Sequence, residues 1–209
     1  LGDIEYVRTA VAAARKGFKD AGGNLEELKL FINDYNLETV DAQNNNKKLE
    51  SLIHWIEEWE KDRVTKIDGI GSQMHVACCM DPVEQKRRED AYVNMLNLMV
   101  STHKLVRISE LDMGLEDKNG NLVNTTDMTE EQHKAMRAYY EFIVKKYFEI
   151  VPENQQWGIC QWCATDSPAN SGWRAGLPVG LWDLDYYRKH TYGGFAAGLG
   201  APEYWNDAK

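Results

Sequence analysis

The sequence predicts an α/β protein built on a parallel sheet, and three observations carry that prediction. Amphipathic helical stretches alternate with short apolar runs of strand length. The order is one helix followed by four strand–helix units, and such alternation means parallel strands joined by crossover helices. The strands themselves are apolar enough to be covered on both faces. Two architectures fit: a small doubly wound sheet, or part of a (β/α)8 barrel. A complete barrel needs eight strands and about 250 residues, whereas 209 residues and four strands are visible here.

Residues 3–21 place Ile4, Val7, Val11, Ala14 and Phe18 on one helical stripe, ended by Gly22-Gly23-Asn24. The first strand is Leu28–Asp34. A helix over 43–62 buries Leu49, Leu52, Ile53, Ile56 and Trp59. The second strand, Ile67–Met74, contains Gly69 and Gly71. Asp81-Pro82-Val83-Glu84 opens a helix to about Thr102, with Asp as cap, Pro at the first position and Glu at the third. The third strand is Leu105–Leu111, followed by a loop with Asn119-Gly120. Thr129-Glu130-Glu131-Gln132 is a capping box for a helix to about Val151. The fourth strand is Trp157–Trp162. A Pro- and Gly-rich loop, 163–181, leads to a last helix over 185–199. No linker or internal repeat divides the chain, so residues 1–209 read as part of one domain.

Composition removes several classes of function. With 43% hydrophobic and 27% charged residues, the chain is not disordered. No run approaches the roughly 18 apolar residues of a membrane span. A net charge of −9 argues against nucleic acid or an anionic membrane as partner. No leader peptide is visible, and the chain begins at Leu1. There is no GxGxxG, GxxxxGK[ST], GxSxG or HExxH, and the five histidines are scattered, so neither cofactor nor metal is expected. Asp117-x-Asn119-x-Asn121 is a poor calcium loop, because Leu122 stands where Gly is needed. Asn124-Thr125-Thr126 is a glycosylation sequon. Cys78, Cys79, Cys160 and Cys163 read as free core thiols. Seven Trp and ten Tyr against five Phe suit sugar-stacking surfaces as well as cores.

In either architecture ligands bind at the C-terminal ends of the strands. Those ends carry Asn33-Asp34-Tyr35-Asn36, Gln73-Met74-His75, Ser109-Glu110-Leu111-Asp112 and Gln161-Trp162, with Asp166 and Trp173 in the loop beyond. Asn and Asp are common turn formers, so part of this is punctuation. Glu110 is different: it interrupts an apolar strand, where a carboxylate is costly without a partner.

The segments LFINDYNLE (Leu30–Glu38), KIDGIGSQMH (Lys66–His75), VRISELDM (Val106–Met113), GICQWCATDSPANSGWR (Gly158–Arg174) and LWDLDYYRKHTYGGF (Leu181–Phe195) occur in the order found in family-10 glycoside hydrolases, mostly endo-β-1,4-xylanases. The chain resembles that family along almost its whole length. The resemblance implies a (β/α)8 barrel that cleaves xylan with retention, using two carboxyl groups. It implies Glu110 as nucleophile, His75 as the residue orienting it, and Asp112 as the acid holding that histidine. Gln73 matches a residue bonding sugar hydroxyls. Trp162 and Trp173 match the walls of the attacked sugar's subsite, and Tyr35 and Asn36 match the leaving-group side.

The family's acid/base Glu, at the end of strand four, has no counterpart here. The resemblance therefore places this chain as strands five to eight, the C-terminal half of the barrel, with an N-terminal half as its partner and xylan or xylo-oligosaccharide as its ligand. Glu38 lies past the strand-five end and does not align with the missing acid. Cys163 replaces the usual Gly, and the 167–173 loop has an unusual length. A non-catalytic xylan-binding role, or a truncated barrel fragment, is the alternative. Because xylan is extracellular, the resemblance implies a secreted or periplasmic protein.

Overall fold

The computed structural model describes residues 3–202. Five strands, β1 (Phe31–Asp34), β2 (Gly69–Ser72), β3 (His75–Cys79), β4 (Leu105–Glu116) and β5 (Gln156–Gln161), form one sheet. Five helices accompany them: α1 (Asp3–Asp20), α2 (Lys47–Glu60), α3 (Pro82–Ser101), α4 (Glu130–Ile150) and α5 (His190–Gly198). Every strand pair in the sheet is parallel. Strand β1 pairs β2, β4 pairs both β2 and β3 on one side, and β5 lies on the other. The sheet is thus open, and among the described residues β1 and β5 are its two ends.

The helices start where their caps dictate. Asp81 accepts from Val83 N at 3.1 Å and Glu84 N at 2.8 Å. Thr129 accepts from Gln132 N at 3.3 Å, and the Gln132 side chain returns the bond at 2.8 Å. Arg8 on α1 donates to the carbonyls of Trp59 and Glu58, both at 3.0 Å, so a cation closes the C-terminus of α2. One continuous core runs from Val11 and Ile56 through Tyr92 and Met95 to Val106, Ile108, Tyr140 and Tyr147.

Three expected boundaries shift. The strand expected over 67–74 is shorter, Gly69–Ser72, because Met74 adopts φ 61° and breaks the extension, and a further strand follows at His75–Cys79. The strand expected to end at Leu111 continues to Glu116, since β3 supplies a partner for its second half. The last helix begins at His190, not 185. The Asp183 carboxylate accepts from Asp185 N and Tyr187 N, both at 2.9 Å, and Tyr186 is left-handed at φ 65°, which holds 183–187 as a turn.

Registers show two bulges. Between Ile108 and Leu111, β4 has two residues where β5 has one. Between Val106 and Ile108, β5 has two residues, Trp157 and Gly158, where β4 has one. The buried Tyr147 hydroxyl accepts from Trp157 N at 2.9 Å and Gly158 N at 2.8 Å, and donates to Val106 O at 2.7 Å. That hydroxyl satisfies the amides the bulge removes from the ladder.

Candidate active site

Just past the C-terminal end of β2, β3 begins at His75, which stands opposite Asp112 of β4. His75 Nε2 lies 3.6 Å from Glu110 Oε2, and His75 Nδ1 lies 3.2 Å from Asp112 Oδ1. The three side chains form a row. Glu110, 22% exposed, faces the rim, whereas Asp112 is fully buried.

A buried carboxylate must be compensated, and Asp112 is. Trp173 Nε1 donates to its Oδ2 at 3.0 Å. Arg174 Nη1 donates to its Oδ1, and Arg174 Nη2 donates to Val76 O at 2.9 Å. Gly114 leaves room for this guanidinium: a Cβ there would sit 2.6 Å from Arg174 Nη2. The His75 ring is flanked edge-on by Trp173, 4.7 Å between centroids, and by Trp162 at 6.1 Å. Both tryptophans are more than two-fifths exposed, with open ring surface at the rim.

Four of the eight positive-φ residues other than glycine among the described residues lie beside candidate residues. Asn36, Met74, Cys163 and Arg174 all have positive φ, between 45° and 65°. Each is the direct neighbour of a candidate residue: Tyr35, His75, Trp162 and Trp173. Left-handed bulky residues cost energy and persist where the surroundings enforce them, commonly at functional sites.

The expected residues fall into two groups. Glu110, His75, Asp112, Trp162 and Trp173 form one contiguous cluster. Tyr35 and Asn36 stand apart, at the end of β1, where Thr39 Oγ1 donates to Asn36 O at 2.8 Å. Asn36 and His75 line a common cleft of about 420 Å³ with Glu38 and Arg174. Gln73 sits at the β2–β3 break, its backbone N–H donating to Asp34 O at 3.0 Å. Ser109 Oγ donates to Asn33 Oδ1 at 2.7 Å, linking β4 to β1 over Gly71, where a Cβ would strike Asn33.

Several readings are corrected. Asp166 is not a rim group: it is buried, ion-paired with Lys189 and bonded to Thr125 Oγ1 at 2.5 Å and Gly180 N at 3.1 Å. Cys78 and Cys79 are buried free thiols as expected, but Cys160 and Cys163 are exposed. Burial pushes the Cys78 thiol up to about 12. Burial and then the Asp112 charge raise Cys163. Asp117 is occupied by the amides of Asn119 and Asn121, at 2.8 and 2.9 Å, as a turn former. Among the described residues no group of three or more His, Cys, Asp or Glu could hold a metal ion, and no helix is long and apolar enough to cross a membrane. Arg174 is the site residue with no signal in the sequence beyond its place next to Trp173 in the GICQWCATDSPANSGWR segment.

A row of carboxylate, histidine and second carboxylate beside two tryptophans, on the strands of a parallel sheet with flanking helices, is the arrangement of a ligand site in an α/β protein. The model of glycosyl hydrolase family 10 matches residues 1–197. The chain belongs to that family, whose fold is a (β/α)8 barrel. It is 32% identical to endo-beta-1,4-xylanase Xyn10C of Cellvibrio japonicus over 219 aligned residues, covering 93% of this chain and 32% of that protein. The native structure of xylanase10C from Cellvibrio japonicus superposes with a TM-score of 0.68 and 28% identity, over 94% of this chain and 39% of that one. A thermostable mutant of Xyn10A from the same organism gives 0.70 at 25% identity, over 94% and 55%. A mutant of xylanase10C has been crystallised with xylopentaose. The chain spans about a third of the length of Xyn10C.

Proposed function

We propose that this chain is strands five to eight of a retaining endo-β-1,4-xylanase barrel, residues 1–209 being the C-terminal part of one catalytic domain. The observation that carries the reading is the Glu110–His75–Asp112 row at the strand ends. The open sheet, ending at β1 and β5, supports it, because a barrel removes such edges by closure. The fraction of each relative that the chain spans supports it too.

In this reading Glu110 attacks C1 of a xylose unit and forms a glycosyl ester. An acid/base Glu from a segment outside this chain protonates the departing oxygen, then activates the water that hydrolyses the ester. Retention requires the two carboxyl groups to stand about 5–5.5 Å apart. His75 orients Glu110, and Asp112, locked by Trp173 and Arg174, holds His75. Trp162 and Trp173 wall the attacked sugar, Gln73 bonds its hydroxyls, and Tyr35 and Asn36 meet the leaving-group saccharide. The xylopentaose bound by a mutant of the related xylanase10C makes a xylo-oligosaccharide the ligand to try first. Such a substrate is outside the cell, so the protein acts there as a secreted or periplasmic enzyme.

The test is reducing-sugar release from soluble xylan by the full-length protein and its Glu110→Ala variant. The variant should lose turnover by roughly three orders of magnitude or more, because the covalent step is deleted. Turnover near that of the parent refutes the nucleophile assignment. No release by the parent, with xylan binding retained, favours the non-catalytic alternative.

A further inference from the structure

Lys48, in the first turn of α2, belongs to none of the family-like segments. Its ammonium donates to Asp34 Oδ1 at 2.9 Å and to Tyr35 O at 2.6 Å. It also lies 3.5 Å from the centre of the Tyr35 ring. Asp34 Oδ1 in turn accepts from Tyr35 N at 2.8 Å. One cation and one carboxylate therefore hold the Tyr35 amide, its carbonyl and its ring together. The corner is anchored from below by Leu37, which is fully buried, and Asn36 is left-handed.

An exposed lysine–aspartate pair by itself contributes little. Here the same ammonium also covers an aromatic face, and Tyr35 remains 55% exposed. A ring capped by a cation on one side and open on the other is a platform, and an ordered ring loses less entropy when a sugar stacks on it. The platform's place suits that use. Strand order puts Tyr35 at the β1 end, Trp162 at the β5 end and Glu110 on β4 between them. A saccharide laid across the rim over Glu110 meets an aromatic surface on each side.

We infer that Lys48 is a positioning residue for substrate selection: it fixes the Tyr35 ring so that the open face stacks on the leaving-group saccharide. This rests on the glycoside hydrolase reading. Lys48 touches no reacting atom and acts through Tyr35.

The experiment compares Lys48→Gln with the parent, in the full-length protein, on xylohexaose and on 4-nitrophenyl β-xylobioside. The second substrate loses an aryl group that needs no saccharide platform. The expected result is a loss in kcat/KM of about 5–10-fold on xylohexaose, mostly in KM, and under ~2-fold on the aryl glycoside. Lys48→Arg should recover most of the loss, since a guanidinium pairs with Asp34 and stacks on the ring. In a Tyr35→Leu background, Lys48→Gln should cost under ~2-fold on xylohexaose, because the two act as one unit. Equal losses on both substrates, no loss on xylohexaose, or an undiminished loss without the Tyr35 ring each overturn the inference. If Lys48→Gln does not fold, Tyr35→Leu alone must reproduce the saccharide-selective loss, and an equal loss on both substrates overturns it. A parent inactive on both substrates overturns the xylanase reading instead, and this inference with it.

Discussion

Replacing Arg174 with Met should destabilise the protein through Asp112. The Asp112 side chain is fully buried, and the Arg174 side chain is 16% exposed. The substitution keeps an unbranched apolar stem but removes the guanidinium, and with it the bond to Asp112 and the one to Val76 O. Asp112 would keep Trp173 Nε1 and His75 as neighbours. Breaking one partner of a buried ion pair costs about 3–5 kcal/mol. The partly exposed guanidinium site admits water, so the lower end, about 3 kcal/mol, is the expected cost. With a urea m-value of about 2–3 kcal/mol/M, the unfolding midpoint should fall by roughly 1–1.5 M. Equilibrium urea unfolding followed by tryptophan fluorescence measures this. Arg174→Lys should fall between the two, because its shorter side chain carries one nitrogen and cannot occupy both positions from which the separate Nη1 and Nη2 atoms reach Asp112 and Val76 O. A midpoint change below about 0.3 M in Arg174→Met would refute the reasoning, because Asp112 would then not depend on this cation.

Gly114→Ala should displace the Arg174 guanidinium, the mobile party in that contact, and cost about 1–2 kcal/mol by the same titration. Combined with Arg174→Met it should add almost nothing, and full additivity would separate the two sites. Burial raises Glu38 above its ordinary 4.5, against the opposing pull of Lys48 and Ser72. The folded state then holds this proton more tightly than the unfolded chain, so stability falls as pH rises from 4.5 through the folded value. Glu38→Gln should remove that fall, and urea midpoints of variant and parent that run parallel across this window would contradict it. His133 and His190 stack at 5.6 Å, and both titrate below the ordinary 6.5. For His133 the causes are burial and then Lys189 and His190, against Asp166; for His190 they are burial and then Arg137 and Lys134, against Glu130. The unfolded chain binds these protons first, so stability is lost as pH falls below 6.5. His133→Phe with His190→Phe should flatten that acid limb in thermal melts, and an unchanged limb would place the sensitivity elsewhere.

Helices and their caps were legible because each is a local affair. Asp81 and Thr129 sit beside the amides they cap, so nearest-neighbour chemistry sufficed. The parallel sheet followed from the alternation of strands and helices. What the sequence did not reveal depends on partners far along the chain. Strand β4 reads as ending at Leu111 until β3, whose residues pair with partners 37 positions later, is found beside its second half. Residues 185–187 read as helix although Asp183 draws two of their amides into a turn, because the helical propensity there looks adequate. In the site, Glu110 was legible as a charge in an apolar run. Arg174 and Lys48 were not, since a cation in a loop or on a helix carries no mark of the carboxylate it will meet 62 or 14 residues away.

The placement of Glu110 follows from one extra residue. Along β4 the buried positions begin at Val106 and Ile108, with Arg107 and Ser109 between them less buried. Strict alternation would make position 110 the next buried one, facing the helices with Val106 and Ile108. The registers differ from that pattern. Ser72 pairs Ile108 and His75 pairs Asp112, so β4 uses three residues where its neighbour uses two. The β5 side shows the same excess, from Ile108 opposite Ile159 to Leu111 opposite Gln161. Extra length relative to both neighbours, at Ser109–Glu110–Leu111, shifts the phase. Leu111, Met113 and Leu115 become the next buried apolar set, and Glu110 stays at the rim beside His75. A bulge is the means by which a sheet re-aims one side chain without losing the strand. The sequence records it as two consecutive polar residues, Ser109 and Glu110, inside an otherwise alternating run. In the proposed function, that slip is what presents the Glu110 carboxylate to the substrate.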